Sequence, residues 1–150
     1  MLWVSDLAVS SLRNTNSEIE PYLNSHRLFY THQLIVGRKF TDGISVQFMP
    51  SIVHRNFVMT KAESNDVFVL GVGGRMKISK RVALNVEYYY TLPNQLDPRY
   101  TNSLSIGFDI ETGGHVFQLH FTNSTGMVEN AFMTETTGDW LKGDIHFGFN

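Results

Sequence analysis

RVALNVEYYY, the stretch from Arg81 to Tyr90, decides the fold. Its side chains alternate every second residue between a large apolar face and a smaller, more polar one, which is the period of a β-strand. An uncharged apolar face ending in tyrosines, opposite a polar face, is typical of a transmembrane β-barrel strand. A tilted strand needs roughly 9–11 residues to cross a bilayer, and this stretch has that length. The apolar face carries Val82, Leu84, Val86, Tyr88 and Tyr90, and the opposite face carries Ala83, Asn85, Glu87 and Tyr89.

The connections between the predicted strands alternate between long and short along the chain. Outer-membrane barrels show this order, with short periplasmic turns and longer external loops. We therefore predict an all-β fold, an antiparallel up-and-down transmembrane β-barrel with about eight strands in one domain, 1–150, as a part of a larger barrel or closed by itself. Pro50 inside the third strand predicts a bulge or an unpaired position. The predicted strands are 2–10, 26–40, 44–55, 66–78, 81–90, 100–111, 115–122 and 143–150, and the long loops are 11–25, 56–65, 92–99 and 123–142.

Composition narrows the classes of function. The net charge of −2 provides no basic field, so we expect no nucleic-acid partner. Charged residues make up only 17% of the chain and aromatic residues 13%, which suits a protein with much surface turned away from water. The absence of cysteine fits a cell-envelope protein. The first residues do not form a signal peptide, because they lack a basic segment and Asp6 interrupts the apolar stretch. The sequence is therefore expected to be a fragment or a mature form.

Whole phrases of the sequence are familiar: HQLIVGRKF at 32–40, QFMPSIVHRNFV at 47–58 and the text of 81–150, which begins RVALNVEYYYTLPNQLDPRYTNSLSIGFDIETGGHVFQLHF. They resemble an uncharacterised family of Gram-negative outer-membrane β-barrel proteins, a domain-of-unknown-function family, over roughly residues 26–150. The resemblance implies an outer-membrane location and larger barrels with an N-terminal signal and additional strands. It implies no activity and no site residues.

The alternation also assigns side chains to the two faces of the barrel wall. Charges enclosed by a small barrel are expected to be paired, because an unpaired buried charge is costly. A hairpin centred near Lys80 places Arg75 opposite Asn85 and diagonal to Glu87. In a wider barrel the same charges would line a pore and set its selectivity. The predicted lipid-facing set is Val82, Leu84, Val86, Leu104, Ile106, Phe108, Phe117, Leu119, Ile145 and Phe147, and the predicted lumen network is Arg75, Lys77, Asn85, Glu87, Asp109, Glu111, Gln118, His120, Asp144 and His146.

Residues that could carry chemistry give only weak signals. No two histidines have HxxxH or HxH spacing, so no metal ligand and no cofactor are predicted, and His120 and His146 are read as part of the polar network. Some outer-membrane barrels are lipid hydrolases, and Ser103, Ser105 and His120, with Asp109 and Glu111, are the candidates for such a site. These residues face inward and the sequence has no G-x-S-x-G elbow, so no catalytic residue is predicted.

Three functions therefore remain open. The first is an outer-membrane barrel, either a structural module or a narrow, transport-associated pore, with the lipid bilayer and other envelope proteins as partners. The second is a soluble, lipocalin-like calyx for an apolar ligand, since alternation alone does not separate a barrel from its inverse. The third is the lipid hydrolase. The first two differ in the position of Leu84, Ile106, Phe117 and Leu119, which lie outside in a membrane barrel and inside in a calyx.

Overall fold

The computed structural model describes residues 1–11, 23–61 and 63–150. Eight antiparallel strands form one sheet in chain order, which confirms the predicted all-β, up-and-down fold. Most of the predicted first loop, 12–22, lies outside the described residues. The strands are β1 (Leu2–Val9), β2 (Leu28–Lys39), β3 (Ile44–Arg55), β4 (Asp66–Lys77), β5 (Val82–Thr91), β6 (Ser103–Glu111), β7 (Val116–Thr122) and β8 (His146–Phe149).

The sheet is open rather than closed in this structure. Each strand pairs with its neighbours in sequence, and β1 and β8 are the edges. The sheet still curves around a cavity that is lined by residues of β2 to β7. This concave side is called the inner face below, and the opposite side the outer face.

From β1 to β8, directly paired residues lie on the same face of the sheet, and successive residues of each strand alternate between the two faces. In β3, for example, Met49, Ser51 and Val53 are buried on the inner face, whereas Val46 and Phe48 are exposed on the outer face. Pro50 creates no bulge, because the pairs Gln33–Ser51 and Val36–Phe48 on either side of it share one register. The ladder between β2 and β3 is only interrupted at this point, which is the unpaired position that proline requires.

The last strand is shorter than predicted. The segment before it forms a 3₁₀ turn, Trp140–Lys142, which ends at Gly143 with a left-handed φ of 84°. Glycine adopts this conformation without the steric cost that other residues pay. Asp144 and Ile145 are held in the same turn, where the Asp144 and Ile145 amides donate to backbone carbonyls of Asp139 and Gly143. The prediction of a strand over 143–150 is therefore wrong at its start.

The inner face changes character along the strands. Near the long loops it is close-packed, with Val53, Val67 and Val69 fully buried and Thr31, the strand partner of Val53, buried as well. A short helix, α1 (Glu129–Thr134), lies in the last long connection and places Met133, 1% exposed, in the same core. Near the tight turns the inner face is polar and encloses the cavity. Among the described residues, no helix has the length and apolar content to span a membrane.

Candidate functional site

Glycines make room for the cavity on the inner face. Gly37 on β2 and Gly73 on β4 both pair with Gln47 on β3, the strand between them. A Cβ atom at Gly73 would lie 2.9 Å from the Gln47 Cγ atom, so the glutamine side chain lies across the glycine instead of standing in the open space. The His120 ring on β7 lies in the same way over Gly148, its strand partner on β8. Because these inner side chains lie against the wall, a cavity of about 670 Å³ remains.

One row of directly paired residues crosses this cavity. Each member pairs with the next across the sheet, so the row runs across the inner wall from β2 to β8. Its members include one carboxylate and neither lysine nor arginine. The row consists of Gly37, Gln47, Gly73, Glu87, Ser105, Thr122 and His146.

Glu87 lies at the boundary between the polar and apolar parts of the inner face. The Tyr89 hydroxyl donates a hydrogen bond of 3.0 Å to Glu87 Oε1 and contacts the Met49 sulfur at 3.7 Å. Tyr89 itself is 4% exposed, and its ring packs over Gly71, where a Cβ atom would lie 2.7 Å from the ring. The sequence parity had placed Tyr89 inward, and its hydroxyl explains why a tyrosine fits there: a buried tyrosine hydroxyl needs a polar partner.

An ion pair spans three strands next to this row. Arg75 Nε on β4 lies 3.2 Å from Asp109 Oδ2 on β6, and Gln118 on β7 donates to Asp109 Oδ1 at 3.0 Å. Arg75 pairs in the sheet with Asn85, as predicted from the hairpin around Lys80. Its ionic partner is Asp109 rather than Glu87. Buried Ala83 on β5 has too short a side chain to obstruct the bridge.

The other members of the predicted lumen network are spread more widely. Lys77 and Glu111 also have inner parity, but both are exposed at the tight-turn end of the sheet. The His120 ring lies directly over Gly148, where a Cβ atom would overlap it. Exposed His146 pairs with Thr122 at the sheet edge. Asp144 does not join the network, contrary to the prediction. It precedes β8, is exposed, and accepts a 3.2 Å hydrogen bond from the Asp139 amide.

The structure does not assemble a Ser–His–carboxylate site from the hydrolase candidates. Ser105 Oγ donates to Thr122 Oγ1 at 2.9 Å, and Asp109 is engaged by Arg75 and Gln118. Within the described residues, no group of three or more histidine or acidic side chains is arranged to hold a metal ion.

Nearly all of the predicted lipid-facing residues lie on the outer face. The exception is Ile145, which stands before β8 and is 40% exposed. Leu84, Ile106 and Leu119 have outer parity, opposite to the position that a calyx requires. Large apolar side chains are exposed along the whole outer face, from Trp3 at one edge to Phe149 at the other. Soluble monomers rarely expose a contiguous apolar surface of this extent.

Helix α1 closes the long-loop end of the inner face. The Phe132 ring lies 5.1 Å from the Tyr89 ring between centroids, and the Thr91 hydroxyl donates to the Met133 carbonyl at 3.1 Å. The chain then returns along β6, where the Thr101 amide donates to the Thr136 carbonyl at 2.8 Å and the Trp140 indole donates to the Leu104 carbonyl at 3.0 Å. These contacts fold the connection inward as a plug, which we define as residues 123–145.

A buried arginine anchors the long loop between β3 and β4. Arg55, 5% exposed, lies 3.8 Å from the Glu63 carboxylate and donates to the Ser64 carbonyl at 2.7 Å. Glu135, at the end of α1, is exposed as a residue, but partial burial of its carboxyl raises the pKa of Glu135, and the charge of Arg55 opposes that rise. The long-loop end thus contains a buried cation, Arg55, that pairs with Glu63.

Sequence reasoning missed the plug. The sequence predicted only a long loop over 123–142. The helix ENAFMT has six residues and begins after Val128, which provides no side-chain cap, so the local sequence gives little sign of it. The available signal was on the strands: VFVL at 67–70 is apolar on both faces, which indicates a strand that is covered on both sides.

An up-and-down sheet with an apolar outer band and a polar inner cavity is the architecture of a membrane β-barrel. The chain belongs to the family described as "Membrane bound beta barrel domain (DUF5777)", whose model matches residues 2–150. Comparison with curated proteins and with solved structures found no match. The family description supports a membrane location and attributes no specific activity to its members.

Proposed function

We propose that this chain is a structural β-barrel module of the outer membrane whose interior is closed at the long-loop end by the plug. The observation that carries this proposal is the position of Met133, which is 1% exposed among Met49, Val53 and Val67 on the inner face. An apolar contact of this kind excludes water from the passage that a pore needs. Near its tight turns the barrel retains a polar cavity.

The outer membrane is proposed on two grounds. Three tight connections, after β2, β4 and β6, alternate with longer ones, as in barrels whose short turns face the periplasm. The second ground is the resemblance of the sequence to Gram-negative outer-membrane proteins. On this orientation the plug faces outward and the polar cavity faces the periplasm. Density-gradient separation of the two membranes should place the full-length protein in the outer-membrane fraction, and recovery with the inner membrane would contradict this location.

Single-channel recording on the full-length protein in a planar bilayer tests the closed interior. The wild-type protein should give no steady current. Met133→Asp should open the passage, because a carboxylate in the apolar core is costly enough to expel α1. Met127→Asp is the matched control, since Met127 is 91% exposed, and it should stay silent. Steady wild-type current, or silence of Met133→Asp inserted with wild-type yield, would contradict the proposal.

A narrow pore is the second candidate, and the polar cavity favours it. The charged side chains of its lining, which would set selectivity, are Arg38, Lys39, Arg75, Glu87 and Asp109. Under this alternative the plug is displaced in the working protein. Steady wild-type current that changes its cation preference in Glu87→Gln would support the pore over the closed module.

A further inference from the structure

We propose that the inner cavity binds the primary ammonium group of a small organic amine, with the Glu87 carboxylate as its counterion. This binding site does not depend on the proposed structural role, because a closed barrel and a pore would both contain the cavity and its charges, in a membrane or in detergent.

The charges of the cavity do not balance at Glu87. Arg75 is neutralised by Asp109 at 3.2 Å, Lys39 pairs with Asp42 at 2.7 Å, and the exposed Arg38 guanidinium lies 5.4 Å from the centre of the Phe40 ring. Among the described residues, the ion pairs include none with Glu87. Glu87 Oε1 accepts a hydrogen bond from the neutral Tyr89 hydroxyl. An ionised carboxylate in a partly enclosed site is costly in free energy when no cation pairs with it. A cationic ligand therefore binds most favourably at this position.

The surroundings of Glu87 favour an ammonium group over a bare metal ion. Within the described residues, the structure shows no cluster of three histidine or acidic side chains, which leaves a divalent metal without sufficient ligands. The cavity volume of about 670 Å³ is in the range of small-molecule sites and far exceeds a single ion.

Neighbouring atoms can accept the remaining ammonium hydrogens. Ser105 is the direct strand partner of Glu87 on one side, and on the other side the Gln47 side chain lies across Gly73. Gln47 and Asn85 also line the cavity and carry amide oxygens. A primary ammonium has three donors, and this arrangement places one carboxylate and several neutral oxygens within one cavity.

Titration of the full chain, refolded in detergent micelles, with propylammonium chloride tests the inference. Isothermal calorimetry should show saturable binding to the wild type, whereas sodium propionate, of similar size and opposite charge, should not bind. Glu87→Gln should bind propylammonium about tenfold more weakly, because the charge-assisted hydrogen bond is lost. Glu111→Gln is the matched control, since it removes the same charge from an exposed position outside the cavity lining, and it should bind as the wild type does.

A second readout does not depend on any variant. In the ¹⁵N-labelled wild type, the amide resonances of Gly73 and Ser105 should shift during the titration, and that of Thr134 in α1 should not. Absence of saturable binding, equal binding of propionate, equal affinity of Glu87→Gln, or shifts elsewhere than beside Glu87 would each overturn the inference. Because binding is measured in micelles, a negative result would not bear on the outer-membrane location or on the plug. A failure of either of those two proposals would likewise not bear on ammonium binding.

Discussion

The Arg75 guanidinium on β4 reaches across β5 to the Asp109 carboxylate on β6, with 3.2 Å between Nε and Oδ2. The two partners are unequally enclosed, since the Arg75 side chain is 45% exposed and that of Asp109 is 15% exposed. Asp109 accepts a further hydrogen bond from Gln118. The network therefore centres on the acid rather than on the base.

Replacing Asp109 should consequently cost more than replacing Arg75. Asp109→Ala removes the acceptor of two side chains and should lower the free energy of unfolding by about 1–2 kcal/mol. Arg75→Ala should cost less than about 1 kcal/mol, because the exposed guanidinium is screened by water. Urea unfolding of the two variants in lipid vesicles measures the difference. Equal losses, or a larger loss for Arg75→Ala, would show that the acid is not the centre.

Gly71 should not tolerate a side chain. A Cβ atom there would lie 2.7 Å from the Tyr89 ring and 3.0 Å from the Met49 Cβ atom, and both neighbours are buried in the core. Gly71→Ala should therefore destabilise the protein by about 1–3 kcal/mol, as other overpacked cores do. Gly114→Ala is the control, because no atom lies within 4 Å of the added Cβ. If both variants unfold at the same urea concentration, Tyr89 does not pack over Gly71 as described.

The plug should detach from the inner face before the sheet unfolds. Met133→Ala removes a buried side chain and should cost the plug about 2–5 kcal/mol. Met127→Ala, at a 91% exposed position, should have little effect. Limited proteolysis of the two variants in vesicles would show faster cleavage within 123–145 for Met133→Ala only. Unchanged cleavage of Met133→Ala would mean that this side chain does not hold α1 on the sheet.

The two faces of the wall should respond differently to charge. Ile106→Arg places a cation on the outer face and should cost roughly 2–4 kcal/mol if it lies at the bilayer midplane. Asn85→Asp adds a charge on the inner face, opposite Arg75, and should matter far less. Refolding into lipid vesicles measures both. Equal tolerance at the two sites would contradict the assigned faces.

The fold was largely predictable because the side chains of each strand alternate between the two faces with a period of two residues. β3 was predicted over 44–55 and spans Ile44–Arg55 in the structure. The prediction is reliable here because the apolar outer face and the tight turn before Ile44 point to the same register. The ends of β8 were predicted less well, because they depend on a 3₁₀ turn at Gly143 and not on side-chain alternation.

Contacts between distant strands were not predictable from local pattern. Alternation put Arg75 and Asp109 on the same face, but the reach of Arg75 over Ala83 is a property of the assembled sheet. Helix α1 was even less predictable from local pattern, because six residues without an N-terminal side-chain cap have little helical stability alone. It is the burial of Met133 that stabilises the helix, and this contact joins segments that are far apart in the sequence.

The central claim is that the outer face contacts hydrocarbon, and neighbouring residues of β5 test it most directly. The chain has no cysteine, so Leu84→Cys and Asn85→Cys can each be labelled with bimane at a single site. In vesicles of lipids with brominated acyl chains, bimane fluorescence should be quenched strongly at position 84 and weakly at position 85. Stronger quenching at position 85, or none at either position, would contradict a membrane barrel with this orientation of its wall.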